Sequence, residues 1–254
     1  MTLASRTMEL LRGVDLQRLV RQFGPQEPGR TICLLEQVCE VLHEAHSHQL
    51  VHRDIKPANI FVTRQVDEGD FARVVDFGLV RAIGCDRHEA TTPQNMSGSL
   101  AFIPPEVVTA ECVGECDIDG RADIYALGCV AYWLLTGQLV FDSTTALAMA
   151  AAHAVTPPSP PSCASARPIP AGLDRCVLDC LAKDPSERPQ SARELADRLG
   201  AIAGEEVAKQ GLCRPEHSVR RKGSVARRTM GKGHVADRHS HQEGEHSDHD
   251  EALG

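Results

Sequence analysis

Nine consecutive residues, Val51-His-Arg-Asp-Ile-Lys-Pro-Ala-Asn59, constrain this chain more than any other stretch. They are polar and charged, yet they lie between two strongly patterned segments. Upstream, Thr31 to His48 places Ile32, Leu34, Leu35, Val38, Val41, Leu42 and Ala45 at helical spacing. Downstream, Ile60–Thr63 and Arg73–Asp76 are short and rich in Val, Ile and Phe. They read as two brief strands separated by the polar residues 65–70. Asp76-Phe77-Gly78 closes the second strand. One strand pair therefore has an acidic loop at each end of its sequence.

Those two loops suit one kind of chemistry. Phosphoryl transfer needs a carboxylate to orient the attacking hydroxyl and accept its proton. It also needs oxygen ligands to hold magnesium on the phosphates. Asp54 suits the first task, and Asn59 and Asp76 suit the second. Lys56, two residues after Asp54, can offset charge developing on the transferred group.

The rest of the chain supports one folded body and a tail. Arg121–Thr136 is apolar on nearly all sides and predicts a buried helix. Thr144–Val155 is an alanine-rich helix, Thr156–Pro170 a loop with six prolines, and Leu173–Lys183 another helix. Ser191 and Glu194 have capping-box spacing before a final helix that ends near Leu199. Hydrophobic residues make up 42% of the 254, enough for a core. The ten cysteines are scattered, and most read as buried reduced thiols rather than a zinc site or a disulfide framework. His43, His46 and His48 read as exposed residues at a helix end.

Residues 1–204 form the expected folded domain and 205–254 a disordered tail. Residues 209–238 carry nine Lys or Arg against two acids, and His, Asp and Glu dominate thereafter. Ser224 and Thr229 follow basic residues and are candidate phosphosites. His234, His239, His241, His246 and His249 are candidates for loose metal binding, and a solvated tail is the plainer reading. Net charge is −8 and no aromatic residue accompanies the basic stretch, so nucleic acid is not an expected partner. The apolar run Ile124–Leu135 is shorter than the roughly 20 residues a membrane span needs. The start has no signal-peptide core, and a cytoplasmic location is expected.

The chain resembles the protein kinase superfamily in its serine/threonine branch, with a bacterial flavour. His52-Arg53-Asp54, with Lys56 and Asn59 at the family's offsets, matches the catalytic loop, and Lys56 is its serine/threonine form. Asp76-Phe77-Gly78 follows. Pro104-Pro105-Glu106 stands where the family has Ala-Pro-Glu. Asp123-Ile-Tyr-Ala-Leu-Gly128 and Asp184-Pro-Ser-Glu-Arg-Pro189 resemble its buried-helix and closing motifs. The match runs from about residue 5 to about residue 200. The fold implied is α+β and mainly α-helical: the C-terminal lobe of the kinase fold with two short strands. The resemblance implies ATP and Mg2+ as cofactors and protein Ser/Thr as substrate.

Further roles are implied residue by residue. Arg53 would pair with a phosphorylated residue of the activation segment, Asp76 to Glu106. Thr91 and Thr92 are its candidate phosphosites, with Ser97 behind them. Ser99 stands where a threonine usually contacts the catalytic Asp and Lys. Leu100 replaces a common proline of the substrate-binding loop. Glu106 and Arg188 would form a buried ion pair, and Asp123 would hold the catalytic loop from below. Met8–Gly13 resembles the hinge between lobes, with the Glu9 and Leu11 backbone on adenine. Asp15 would reach ribose or substrate, and Phe61 would floor the adenine.

Seven residues precede Met8, no GxGxxG occurs in the chain, and no upstream Lys can serve as the small-lobe strand lysine. Three readings follow. The chain is an N-terminally truncated record of an ordinary kinase, an inactive large lobe that regulates or scaffolds, or a large lobe whose small lobe comes in trans. A partner at the open upper face is expected in the latter cases.

Overall fold

A computed structural model describes residues 13–65, 69–76, 81–82, 100–113 and 118–209. All of them fall in the first of the two units into which the chain divides, residues 1–214.

The chain enters through β1 (Val14–Asp15) and turns at once into α1 (Leu16–Phe23). Asp15 starts that helix: its carboxylate accepts the Arg18 amide at 2.8 Å, filling one of the vacant first-turn positions. α2 (Pro28–Ser47) carries proline at its first position, where a missing N–H costs nothing. It buries Ile32, Leu35, Val38, Cys39 and Leu42 along one stripe.

β2 (Leu50–Val51) leads into the charged loop, and β3 (Ile60–Gln65) and β4 (Gly69–Val74) follow. β3 and β4 run antiparallel, with Ile60 opposite Val74 and Gln65 opposite Gly69. β1 takes the other side of β3, giving the order β1-β3-β4. β2 pairs separately with β5 (Arg81–Ala82). The described residues thus hold five strands where sequence patterning showed two. Two-residue strands offer no alternation to read, and the hairpin extends into polar residues because a ladder is built from backbone groups. α2 steadies it. The Gln37 side chain donates to the Asp70 carbonyl at 3.1 Å and accepts from the Ala72 amide at 2.9 Å. Arg30 reaches the Asp70 carboxylate at 2.6 Å.

The second half is helical: α3 (Pro105–Val113), α4 (Gly120–Thr136), α5 (Ala146–Val155), α6 (Pro161–Ala164), α7 (Ala171–Cys180) and α8 (Ala192–Lys209). α4 is buried on nearly every face and forms the axis of the core. At Gly128 it passes so close to α7 that an added Cβ would lie 2.7 Å from the Cys180 Cβ. α6 falls inside the segment expected to be loop, since proline at a helix's first position favours the turn. α8 opens as the capping pattern predicts on one side, with Ser191 Oγ accepting the Glu194 amide at 3.1 Å. The Glu194 carboxylate takes the Gln190 amide instead of that of Ser191. The helix continues past Leu199 to Lys209 because Ile202 and Ala203 still pack on the core. Cys39, Cys129, Cys176 and Cys180 are buried free thiols, and Cys33 and Cys163 are exposed free thiols.

Candidate active site

The loop from His52 to Asn59 hangs from one buried carboxylate. Asp123, in the first turn of α4, is 1% exposed. One of its oxygens accepts the His52 amide at 2.8 Å and the other the Arg53 amide at 2.8 Å. His46, near the end of α2, places Nε2 2.9 Å from the same carboxylate. A buried carboxylate is tolerable only when its lone pairs are filled, and here three N–H groups converge on it. Two of them belong to the loop backbone, so the loop's position is set by helix packing.

His52 ties this loop to the next. Its Nδ1 accepts the Asp54 amide at 3.3 Å, so the ring proton sits on Nε2, which faces the Val75 carbonyl at 3.1 Å. The Val75 amide in turn donates to the Asn59 carbonyl at 2.9 Å. The residue before Asp76 is therefore bonded to the start and the end of the charged loop. Arg53 and Asp76 both have left-handed backbone, φ 65° and 63°. For residues with a Cβ that conformation costs energy, and such strain concentrates at functional sites.

Asp54 is held from two sides. Lys56 Nζ lies 2.9 and 2.7 Å from its two oxygens. Asn59 Nδ2 donates to the Asp54 carbonyl at 2.8 Å and to its carboxylate at 2.9 Å. The Asn59 amide nitrogen is thus committed to Asp54, which turns its oxygen the other way, where it can serve as a ligand. Asp76 is exposed. Arg53 is different again: its Nε is buried with no hydrogen-bond partner.

Below the loop, Glu106 and Arg188 form a two-pronged pair, with both N–O distances 2.8 Å. The Arg188 side chain is 0% exposed. Its remaining donors go to the carbonyls of Ala182, Arg121 and Lys183, so all five N–H groups are used. The guanidinium also lies 4.9 Å from the Tyr125 ring centroid.

On the side expected to meet nucleotide, the β1–β3 register sets Asp15 opposite Phe61. Asp15 is 9% exposed and its carboxylate is engaged with α1 and, at 3.4 Å, with Arg18. Gly13 lies against β3, where an added Cβ would stand 2.6 Å from the Val62 carbonyl oxygen. Glu9, Leu11, Phe77, Thr91, Thr92, Ser97, Ser99 and the tail candidates Ser224, Thr229, His234, His239, His241, His246 and His249 lie outside the described residues.

The structure corrects one expectation and adds another residue. His46 is not an exposed helix-end histidine: its side chain is 16% exposed and bonded to Asp123. The signal was present, because His46 continues the α2 stripe of Leu35, Cys39 and Leu42, whereas His43 and His48 fall off it. His153 was not singled out by its spacing at all, yet it is fully buried.

A loop whose scaffolding is spent on aligning Asp54, Asn59 and Asp76 is the habit of one family, and this chain belongs to it: the protein kinase domain model matches residues 4–198. Within that family its relatives are bacterial serine/threonine kinases. It is 37% identical over 201 residues to serine/threonine-protein kinase Pkn1 of Myxococcus xanthus, covering 79% of this chain and 28% of the relative. It is 37% identical over 199 residues to PknB of Mycolicibacterium smegmatis, covering 78% of this chain and 30% of the relative. The chain thus spans less than a third of the length of either. Among solved structures, the PknI kinase domain of Mycobacterium tuberculosis, a double mutant, matches with TM-score 0.56 and 28% identity. That match covers 78% of this chain and 64% of the other. No described helix is long and apolar enough to cross a membrane.

Proposed function

We propose that the chain supplies the lower half of an ATP- and Mg2+-dependent kinase site that phosphorylates Ser or Thr of proteins. The observation that carries this reading is the fixing of Asp54 between Lys56 and Asn59, with the residue before Asp76 bonded to the same loop. Asp54 orients the incoming hydroxyl and takes its proton. Lys56 moves its charge from Asp54 towards the transferred group as negative charge builds there. Asn59 and Asp76 offer oxygens to magnesium, which neutralises phosphate charge when bound. Phe61 and Asp15 face the nucleotide base and sugar, and the unpartnered Arg53 Nε suits a phosphorylated residue of the activation segment.

The described residues fit a large lobe, and we read the chain as an N-terminally truncated catalytic domain. The test has two arms. In the first, the 254-residue chain is assayed for radiolabelled phosphate transfer to a generic protein substrate. Little transfer is expected, and robust transfer abolished by Asp54→Asn would overturn the truncated reading. In the second, the chain is joined to a bacterial kinase small lobe. Transfer should appear, and should fall by about 10²-fold or more in Asp54→Asn. A correctly folded fusion with no transfer would overturn the kinase reading itself.

A further inference from the structure

The stretch that joins α5 to α6, Thr156-Pro-Pro-Ser-Pro-Pro161, takes no part in the reaction. Its backbone has little freedom. Proline locks φ near about −65°, and a residue before proline is held in the extended region. Thr156, Pro157, Ser159 and Pro160 each precede a proline. The dihedrals at the two ends agree: φ −82° and ψ 126° at Thr156, φ −56° and ψ 139° at Pro160. These lie close to a polyproline II helix, at about −75° and +145° with about three residues per turn.

Exposure along the stretch follows that three-residue period. Pro161 is buried and Pro158 half-buried, so one edge of the rod packs down on the protein. Thr156 and Ser159, on the second edge, are exposed. On the third, Pro157 is exposed and Pro160 half-buried. Both ends are pinned. The Thr156 amide donates to the Ala152 carbonyl of α5 at 2.9 Å, and the Ser162 amide to the Asp174 carboxylate at 2.9 Å. Among the described residues, the carbonyls of Thr156, Pro157, Pro158 and Ser159 accept no hydrogen bond. The rod is also uncharged, since no Asp, Glu, Lys or Arg occurs between Asp142 and Arg167.

We propose that residues 156–160 are a docking rod for a partner protein with an uncharged, aromatic-lined groove of the kind that reads polyproline II segments. Rings of the groove stack on Pro157 and Pro160, while a Tyr hydroxyl or Trp indole N–H donates to the free carbonyls between them. The rod is already fixed in the bound shape, so docking orders little backbone. A neutral rod matches a neutral groove. A second copy of this chain does not supply one: Tyr125 and Tyr132 are buried, and so is the Trp133 Nε1. None of the rod's residues belongs to the loop that bears Asp54, so docking there leaves the proposed catalytic groups free.

The test titrates the 15N-labelled 254-residue chain with isolated SH3, WW and EVH1 domains and follows its amide signals. At least one of the three should produce saturable shifts at the Thr156, Ser159 and Ser162 amides. No saturable shift with any of them would overturn the proposal. Pro157→Ala with Pro160→Ala should weaken the binding by about tenfold or more. Pro168→Ala, an exposed proline outside the rod, should leave it unchanged. Equal affinity in the double variant and wild type, or an equal loss in Pro168→Ala, would sink the inference. Affinity should also hold as salt is raised, because no charge pair is involved; a steep loss with salt would show that charge carries the contact and would count against the rod. None of these readouts needs phosphoryl transfer, so a failure here is distinct from a failure of the kinase reading.

Discussion

Arg188 shows how much one side chain can be asked to do. Its five donors meet a carboxylate and three carbonyls, all out of water. Lysine carries the charge but only three donors, so Arg188→Lys strands at least two of those acceptors. Removing either partner leaves a buried charge, at a cost of about 3–5 kcal/mol. Glu106→Gln and Arg188→Leu should therefore each lower the urea midpoint sharply, with an unchanged denaturant slope. His153 gives a pH dependence of known sign. Burial, then the Lys183 ammonium, hold its pKa down from 6.5 to about 4, against the opposing Ala101 backbone. Tyr125, Lys183 and Arg188 are the titratable groups around it, and burial also brings Lys183 down to about 8. Between pH 6.5 and 4 the unfolded chain binds a proton there that the folded chain refuses, so stability falls as pH falls through that window. The loss should total roughly 3 kcal/mol at this site. Unfolding free energies at pH 7 and pH 4.5 should differ less in His153→Gln than in wild type; an equal difference would show that His153 does not titrate this way.

At the scale of elements, Gly128 reverses a propensity rule. Alanine is favoured over glycine inside a helix by about 1 kcal/mol. Here the added methyl would meet the Cys180 Cβ at 2.7 Å, and α4 and α7 would have to part. Gly128→Ala should destabilise by about 1–3 kcal/mol in thermal melts. Cys180→Ala should not relieve it, because the opposing atom is the Cβ that alanine retains, whereas Cys180→Gly should recover part of the loss. The same elements show what was legible beforehand. α2 and α4 were readable because their stripes are long and apolar. β1, β2 and β5 were not, because two-residue strands are defined by partners remote in sequence. The Asp54, Lys56 and Asn59 cluster was readable from local spacing alone, since its members lie within six residues. The burial of His46 was legible in the α2 stripe, but its partner and that of His153 were hidden, because they lie 77 and 28 residues away.

At the scale of the molecule, the surface of α5 stands out. Leu147 and Val155 are 82% and 76% exposed. Between Asp142 and Arg167 the chain has no Asp, Glu, Lys or Arg. Apolar surface without charge favours association. The 254-residue chain should elute ahead of its monomer position in size-exclusion chromatography at high concentration, and Leu147→Lys with Val155→Lys should move it back. An unchanged elution of the double variant would place the association elsewhere. Composition could not have pointed to this surface, because exposed and buried faces of an alanine-rich helix look alike in sequence.

Asp123 links the three scales. Its carboxylate carries the loop that bears Asp54, yet it belongs to the first turn of the central helix. The placement of Asp54 is thus inherited from core packing. A slight tilt of α4, caused by a repacked core side chain, would arrive at Asp54 as a change of aim. Substitutions of this kind would leave a stable protein with the proposed base misdirected, a fault invisible to any measurement of folding.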